Sequence, residues 1–165
     1  YDGTATTSIT GLEHLEGETV TILADGATHA TKTVSSGAIT LDRSSKKVKV
    51  GLAYSSILQT MRLDGGAGEY AGTAQSKIKR INKVTLRLFE TVGAKVGNSL
   101  TNLDSIPFRT TSDPLDTPVS TFLEGDKVIE FPGDYDTDGY IVVSQEQALP
   151  LSVLAIYPEL VTHDG

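Results

Sequence analysis

Short runs in which apolar and polar residues alternate recur along the chain and are separated by turn residues. Val20 and Ile22 share one face of such a run, and Val48 and Val50 alternate with lysines in another. A period of two is typical of a half-buried β-strand. The Asp25-Gly26 pair lies between two runs and predicts a hairpin turn. The pattern therefore predicts four or five short strands within the first fifty residues.

The rest of the chain continues this pattern with longer interruptions. Strands are predicted at residues 55–63, 84–88, 128–131, 140–143 and 151–156. The last of these is almost continuously apolar, which fits a strand covered on both faces and equally fits a strand at an interface. A Gly-rich surface loop is predicted at residues 64–75, and the prolines near residue 116 predict an exposed connection.

Composition supports a β fold. Thr, Val and Ile make up 44 of the 165 residues, and β-branched side chains favour strands over helices. We predict an all-β, mostly antiparallel protein. Residues 1–54 are predicted to form a small barrel-like module, and residues 55–165 a sandwich-like module that carries the Gly-rich loop.

Cysteine content and hydropathy exclude several classes of function. The chain has no cysteine, which excludes disulfides, thiolate metal sites and a cysteine nucleophile. No apolar run approaches the roughly 18 to 20 residues of a membrane-spanning helix, so no membrane span is expected. At this length a chain buries enough surface to fold without such staples.

Charge is distributed in blocks along the chain. The net charge of −7 divides into −4 over residues 1–41, +7 over residues 42–95 and −10 over residues 96–165. Opposite blocks can pair within one fold, pair between subunits, or face a charged partner. The sequence leaves these three possibilities open.

One acidic segment resembles the start of a calcium loop. Asp134, Asp136, Asp138 and Gly139 follow the required spacing, but the twelfth position is Gln145 where a bidentate Glu is needed. The flanking segments are predicted strands, whereas a calcium loop of this type joins helices. An acidic hairpin turn is the favoured interpretation, and calcium binding is a minor hypothesis.

Residues 66–71 match a glycine-rich dinucleotide motif, with Glu90 near the distance of a ribose-binding acid. The motif requires a following helix in a parallel unit, and none is predicted here. A surface loop is favoured.

The histidines His14, His29 and His163 form no metal or hydrolase motif. A spatial triad that includes His29 would support a small hydrolase, but no sequence feature favours one. We assign no catalytic, cofactor-binding or metal-binding residue.

The densest basic stretch runs from residue 77 to residue 87. Its cations are Lys77, Lys79, Arg80, Lys83 and Arg87. Nucleic-acid binding usually adds stacking aromatic residues and an overall basic charge. Only Phe89 lies nearby and the pI is about 4.9. A solvated or partner-facing basic strand is favoured over a phosphate-binding stripe.

Several strings occur in an order that resembles a known family. They are ETVTILADGATH, LQTMRLD, GTAQSKIKRINKVTLRLFETVGAKVG, DPLDTPVSTFLEGD and DGYIVVSQEQALPLSVLAIYPEL. Together they resemble the C-terminal part of bacteriophage virion proteins of the tail nozzle or tail-stabilisation kind, from short-tailed phages. The first fifty residues also resemble a small barrel module of ubiquitin-activating enzymes, whose activity requires a cysteine that this chain lacks.

The resemblance implies a non-enzymatic structural component of the phage tail. Such a subunit would assemble with copies of itself and with other tail proteins as a ring, and DNA would pass through the ring without sequence-specific binding. The segregated charge blocks suit the contact between unlike surfaces that a ring requires. The alternative is a monomeric β-sandwich module that binds a carbohydrate or a receptor.

Overall fold

The computed structural model describes residues 1–65, 73–108 and 123–163, and these residues form eleven strands with only antiparallel pairings. The predicted all-β class is confirmed: these three ranges contain no α-helix, only a short 3-10 turn at Glu13–Leu15. The strands are β1 (Asp2–Thr10), β2 (Thr19–Ala24), β3 (Ala27–Thr33), β4 (Ala38–Gly51), β5 (Ser56–Gln59), β6 (Ile78–Thr91), β7 (Lys95–Ser99), β8 (Asn102–Ser105), β9 (Leu123–Glu130), β10 (Val142–Gln145) and β11 (Val153–His163). No helix in the described part of the chain is long and apolar enough to cross a bilayer.

The described residues divide into two compact units. Unit 1 contains Tyr1–Ser55 and Glu146–Leu149, and its strands form one sheet in the order β1-β4-β2-β3. Alternating residues of β2 and β4 point into its core, as their sequence period predicts. The buried core residues are Ile9, Leu12, Val20, Ile22, Ala24, Val34, Ile39, Leu41 and Val48. The sheet does not close into a barrel within the described residues, because β1 and β3 remain at its edges.

The predicted hairpin turn at Asp25-Gly26 is present and is tied to β4. Both residues have positive φ, 51° and 79°, which a type I′ turn requires. The Asp25 carboxylate accepts backbone N–H bonds from Lys46 at 3.0 Å and Lys47 at 2.8 Å. These hydrogen bonds lower the pKa of Asp25 because they favour its charged form, and the bond from Lys47 has the largest effect.

The role of the Asp25 carboxylate in this turn can be tested with the variant Asp25→Asn, whose thermal stability is compared with that of wild type at several pH values. A lowered carboxyl pKa stabilises the folded state above the pKa of the unfolded chain, and this contribution is lost as the pH falls through the folded-state pKa. Asparagine tolerates the left-handed conformation, so the change isolates the charge. The variant should have a lower thermal midpoint than wild type at neutral pH, and the difference should shrink below about pH 4. Circular dichroism melts across this range check it, and a constant difference would contradict the assignment.

Unit 2 contains residues 56–65, 73–108, 123–145 and 150–163 and has two sheets. One has the order β5-β10-β7-β8 and the other the order β11-β6-β9. Both sheets contribute to a single core, which consists of Ile81, Val84, Leu86, Leu88, Ala94, Val96, Ile106, Ile129, Phe131, Ile141 and Val143. A shared core of this kind buries the apolar face of each sheet.

The start of β11 is fixed to the end of β6 by one buried side chain. The Thr91 hydroxyl accepts a hydrogen bond from the Ser152 backbone N–H at 2.8 Å. The Phe89 N–H in turn donates to the Ser152 carbonyl at 3.1 Å. The register of β11 on β6 is therefore set where β11 begins.

Several strand predictions differ from the structure. β1, β7 and β8 have no counterpart among the predicted strands. The first fifty residues were predicted to contain only short strands, but β4 is one continuous strand of 14 residues. Of the Gly-rich loop predicted at 64–75, residues 66–72 lie outside the described residues, as does the proline-containing connection.

Candidate protein-interaction surface

The most exposed apolar stretch of the described chain surrounds β5. Within β5, Ile57 is 53% exposed and Leu58 is 40% exposed, and adjacent strand residues point to opposite faces. Met61, just after the strand, is 87% exposed. These exposed apolar side chains make the surroundings of β5 a candidate surface for contact with another molecule.

β5 also has an open backbone edge. It pairs with β10 on one side, in a register that places Leu58 opposite Val143. In the described ranges no strand pairs with its other side. We call this side, Ser56–Gln59, the β5 edge. It contains no charged residue and no proline, which are residues that often protect an edge against pairing.

The first half of β11 forms a second edge of the same kind. β11 pairs with β6 from Val153 to His163, with register shifts between Val153 and Ala155 and between Glu159 and Leu160, and it lies at the end of its sheet. Residues 153–157 carry no charge and no proline, and they include Leu154 at 63% exposure and Tyr157 at 47%. We call this the β11 edge. The near-continuous apolar run is compatible with a strand covered on both faces or with an interface strand. The exposure of Leu154 and Tyr157 does not fit coverage on both faces, and the interface interpretation stays a prediction.

Ion pairs lie next to the β11 edge on the outer face of the β11-β6-β9 sheet. Arg87 on β6 binds the Asp126 carboxylate on β9 with two hydrogen bonds, at 2.7 and 2.8 Å. This hydrogen bonding lowers the pKa of Asp126 and raises that of Arg87. The Arg87 guanidinium also lies over the Tyr157 ring, 5.5 Å from its centroid. Lys83 and Glu130 form a looser pair on the same face at 3.4 Å.

These pairs bear on the three possibilities that the charge blocks left open. Arg87–Asp126, Lys83–Glu130 and the 2.8 Å contact of Arg62 with Asp138 each join the basic block to the acidic block within one subunit. Part of the opposite charge of the two blocks is thus paired within one subunit. The β5 and β11 edges themselves carry no charge.

The basic stretch at residues 77–87 does not form a single exposed stripe. Lys79 is only 1% exposed, and its ammonium donates to the Leu63 carbonyl at 2.9 Å. The methylene groups of Lys79 pack so closely on Gly139 that a Cβ added at residue 139 would lie 2.7 Å from Lys79 Cδ. Arg80 faces outward over the Tyr135 ring, 5.8 Å from its centroid. The prediction of a solvated or partner-facing basic strand is therefore wrong at Lys79, whose side chain is buried against Leu63 and Gly139.

The acidic segment at residues 134–138 is engaged in local hydrogen bonds. The Asp136 carboxylate accepts the Asp138 N–H at 3.2 Å, the Asp134 carboxylate accepts the Tyr135 N–H at 2.8 Å, and Asp138 pairs with Arg62. Across the described residues no three His, Asp or Glu side chains are grouped to hold a metal ion. The segment joins β9 to β10, which lie in different sheets, so it is a connection between sheets and the predicted hairpin turn is wrong. Its geometry gives no support to the calcium hypothesis.

His29 has both ring nitrogens engaged with backbone groups. The Asp42 N–H donates to Nε2 at 2.9 Å, so Nδ1 carries the proton and donates to the Ala30 carbonyl at 2.8 Å. The ring lines a small cavity of about 90 Å³ together with Thr21, Thr28 and others. These hydrogen bonds fix the orientation of the ring. The glycine motif at residues 66–71 lies outside the described residues.

Comparison with known proteins adds no relative: no family model matches the chain, and no curated protein matches it.

Proposed function

We propose that this chain is a non-enzymatic structural subunit that assembles with copies of itself. The observation that carries the proposal is the pair of uncharged edges in unit 2, each with exposed apolar side chains. Exposed edges of this composition favour pairing with another chain, and natural monomers usually protect them with charge or proline. The proposal needs no cofactor.

The proposed assembly is a ring at the end of a bacteriophage tail, around the channel through which DNA leaves the virion. This part of the proposal rests on the resemblance of the sequence to tail nozzle and tail-stabilisation proteins, and other tail proteins would be its further partners. Ring formation requires contact between unlike surfaces, and two different edges on one subunit meet that requirement.

For the shapes of the two units we propose a barrel-like module in unit 1 and a sandwich-like module in unit 2. In unit 1, β4 pairs with β1 along its first part and with β2 along residues 48–51, so one long strand serves two pairings. In unit 2, inward residues of two sheets meet in one core. A two-sheet core is the arrangement of a β-sandwich.

The charge distribution favours passage of DNA over binding of DNA. Several of the cations between residues 42 and 95 are paired with acids of the same subunit, and the net charge is −7. DNA affinity depends on exposed cations that replace the counterions of the phosphates. Arg62, Lys83 and Arg87 are offset in this way, and the acidic net charge opposes the approach of DNA phosphates.

We expect the protein to give no retarded band with double-stranded DNA at about 0.15 M salt. We also expect its oligomer to persist at about 1 M salt, because screening weakens ion pairs and leaves apolar contacts intact. Gel shift and sedimentation velocity at both salt concentrations measure this. DNA binding, or dissociation at high salt, would contradict a structural subunit held by apolar edges.

The carbohydrate-binding alternative depends on open aromatic faces. Tyr135 and Tyr157 are about half exposed, and each ring has an arginine over one face, whereas Tyr54 is 69% exposed. A glycan array with the isolated chain separates the two proposals. A monomer that binds a glycan would favour the recognition module. An oligomer that binds no glycan would favour the structural subunit.

A further inference from the structure

We infer that the β5 edge of one copy pairs with the β11 edge of a second copy, which makes a continuous sheet across the contact. The inference rests on the proposed self-assembly and specifies its surface. Each edge is thus covered by a strand from another copy of this protein.

The charges of the other edges in unit 2 decide which strands can meet. β8 carries Asp104, β9 carries four charged residues, and the second half of β11 carries Pro158 and Glu159. Placing any of these against Ile57 and Leu58 would bring a charge beside apolar side chains or remove a backbone donor. Of the edges that the structure describes in unit 2, only residues 153–157 match the uncharged character of β5.

The apolar side chains on the two edges complement each other. Ile57 and Leu58 lie on opposite faces of β5, so an added strand would cover both of them. Leu154 and Tyr157 are exposed on β11 and supply apolar surface of similar size. Neighbouring side chains on paired strands lie roughly 4.5 to 5.5 Å apart, close enough for these groups to exclude water.

The pairing also satisfies the open backbone groups. It would join the four-stranded sheet of one copy to the three-stranded sheet of the next, in the order β8-β7-β10-β5 followed by β11-β6-β9. Because β5 and β11 are different strands, each contact leaves one edge of each kind available for another copy. The contact is heterologous and propagates until the assembly closes.

The absence of native cysteine permits a direct cross-linking test. Two single-cysteine chains, Gln59→Cys in β5 and Ala155→Cys in β11, are mixed and treated with a short bismaleimide. Ser105→Cys on the β8 edge and Glu124→Cys on the β9 edge serve as matched controls. Circular dichroism melts verify that each variant is folded, and sedimentation gives the mass of each assembly before cross-linking.

The inference predicts that the mixture of the two edge variants gives covalent dimers at several times the yield of either variant alone or of any mixture with a control. Dimers from Gln59→Cys alone at equal yield would show pairing between two β5 edges and would overturn the inference. An intact oligomer without cross-links would also overturn it and would leave the proposed function standing. Cross-links in a closed two-subunit particle would support the strand pairing and overturn the ring. A monomer at every concentration would overturn both.

Discussion

Lys79→Glu is expected to lower the free energy of unfolding by about 3 to 5 kcal/mol, since the variant buries an uncompensated carboxylate. Lys79 is 1% exposed, and its ammonium is bonded to the Leu63 carbonyl. A carboxylate at this position cannot donate to that carbonyl and would lie beside Asp64, whose pKa is lowered mainly by a hydrogen bond from Thr73. Urea unfolding followed by circular dichroism measures the loss.

Two further variants make this prediction specific to burial. Arg80→Glu reverses the charge of the next residue, which faces solvent, and should cost no more than about 1 kcal/mol. Lys79→Met keeps the apolar stem and loses the bond to Leu63, so it should cost about 1 to 3 kcal/mol. Equal decreases in the free energy of unfolding for Lys79→Glu and Arg80→Glu would contradict the burial of Lys79. Charge reversal at this position tests folding and not assembly.

Gly97→Ala is expected to destabilise unit 2 by at least about 3 kcal/mol, because the added methyl group has no space. A Cβ at Gly97 would lie 1.8 Å from the backbone carbonyl oxygen of Asn102 on the neighbouring strand β8. Since the obstacle is backbone, relief requires β7 and β8 to separate. Thermal and urea unfolding check the prediction.

The matched control for this prediction is Gly51→Ala on β4. Gly51 also lies in a strand, but a Cβ there has nothing within 4 Å. Alanine is the better residue in an unobstructed strand, so this change should be neutral or slightly stabilising. A small effect of Gly97→Ala, similar to that of Gly51→Ala, would contradict the close approach of β7 and β8.

The same glycine explains why two strands were not predicted from the sequence. β7 reads Lys-Val-Gly-Asn-Ser, and its close pairing with β8 depends on the absence of a side chain at Gly97. Apolar alternation is the main signal of a strand, and a strand packed through glycine lacks that signal. β1 was missed for a related reason, since only Ile9 among its residues is buried. The strands that were predicted, such as β2 and the centre of β6, bury regularly spaced apolar residues.

A period-two pattern in the sequence also could not predict that Lys79 is buried. Lys79 and Ile81 point inward, and so do Val84 and Leu86, so the inward register changes between Ile81 and Val84. The register with β11 is irregular at the same place. A bulge of this kind shifts the facing of every residue beyond it. The alternation in the sequence could therefore not show which lysine is inward.

The candidate surface was accessible to sequence analysis only in part. The apolar run at residues 151–156 indicated either a buried strand or an interface strand, and only the sheet order places it at an edge. β5 was expected as a strand, but its open side depends on which strands lie next to it. Edges are a property of topology, which alternation along one chain does not determine.

The most direct test of self-assembly is the native mass of the wild-type particle. Light scattering coupled to size exclusion, over about a tenfold range of concentration, should give one constant mass that is a multiple of the 17.5 kDa protomer and larger than a dimer. Leu58→Lys, which places a charge on the β5 edge, should reduce that mass to the protomer, whereas Val128→Lys on the outward face of β9 should not. A wild-type mass of 17.5 kDa at every concentration would contradict the proposed structural subunit.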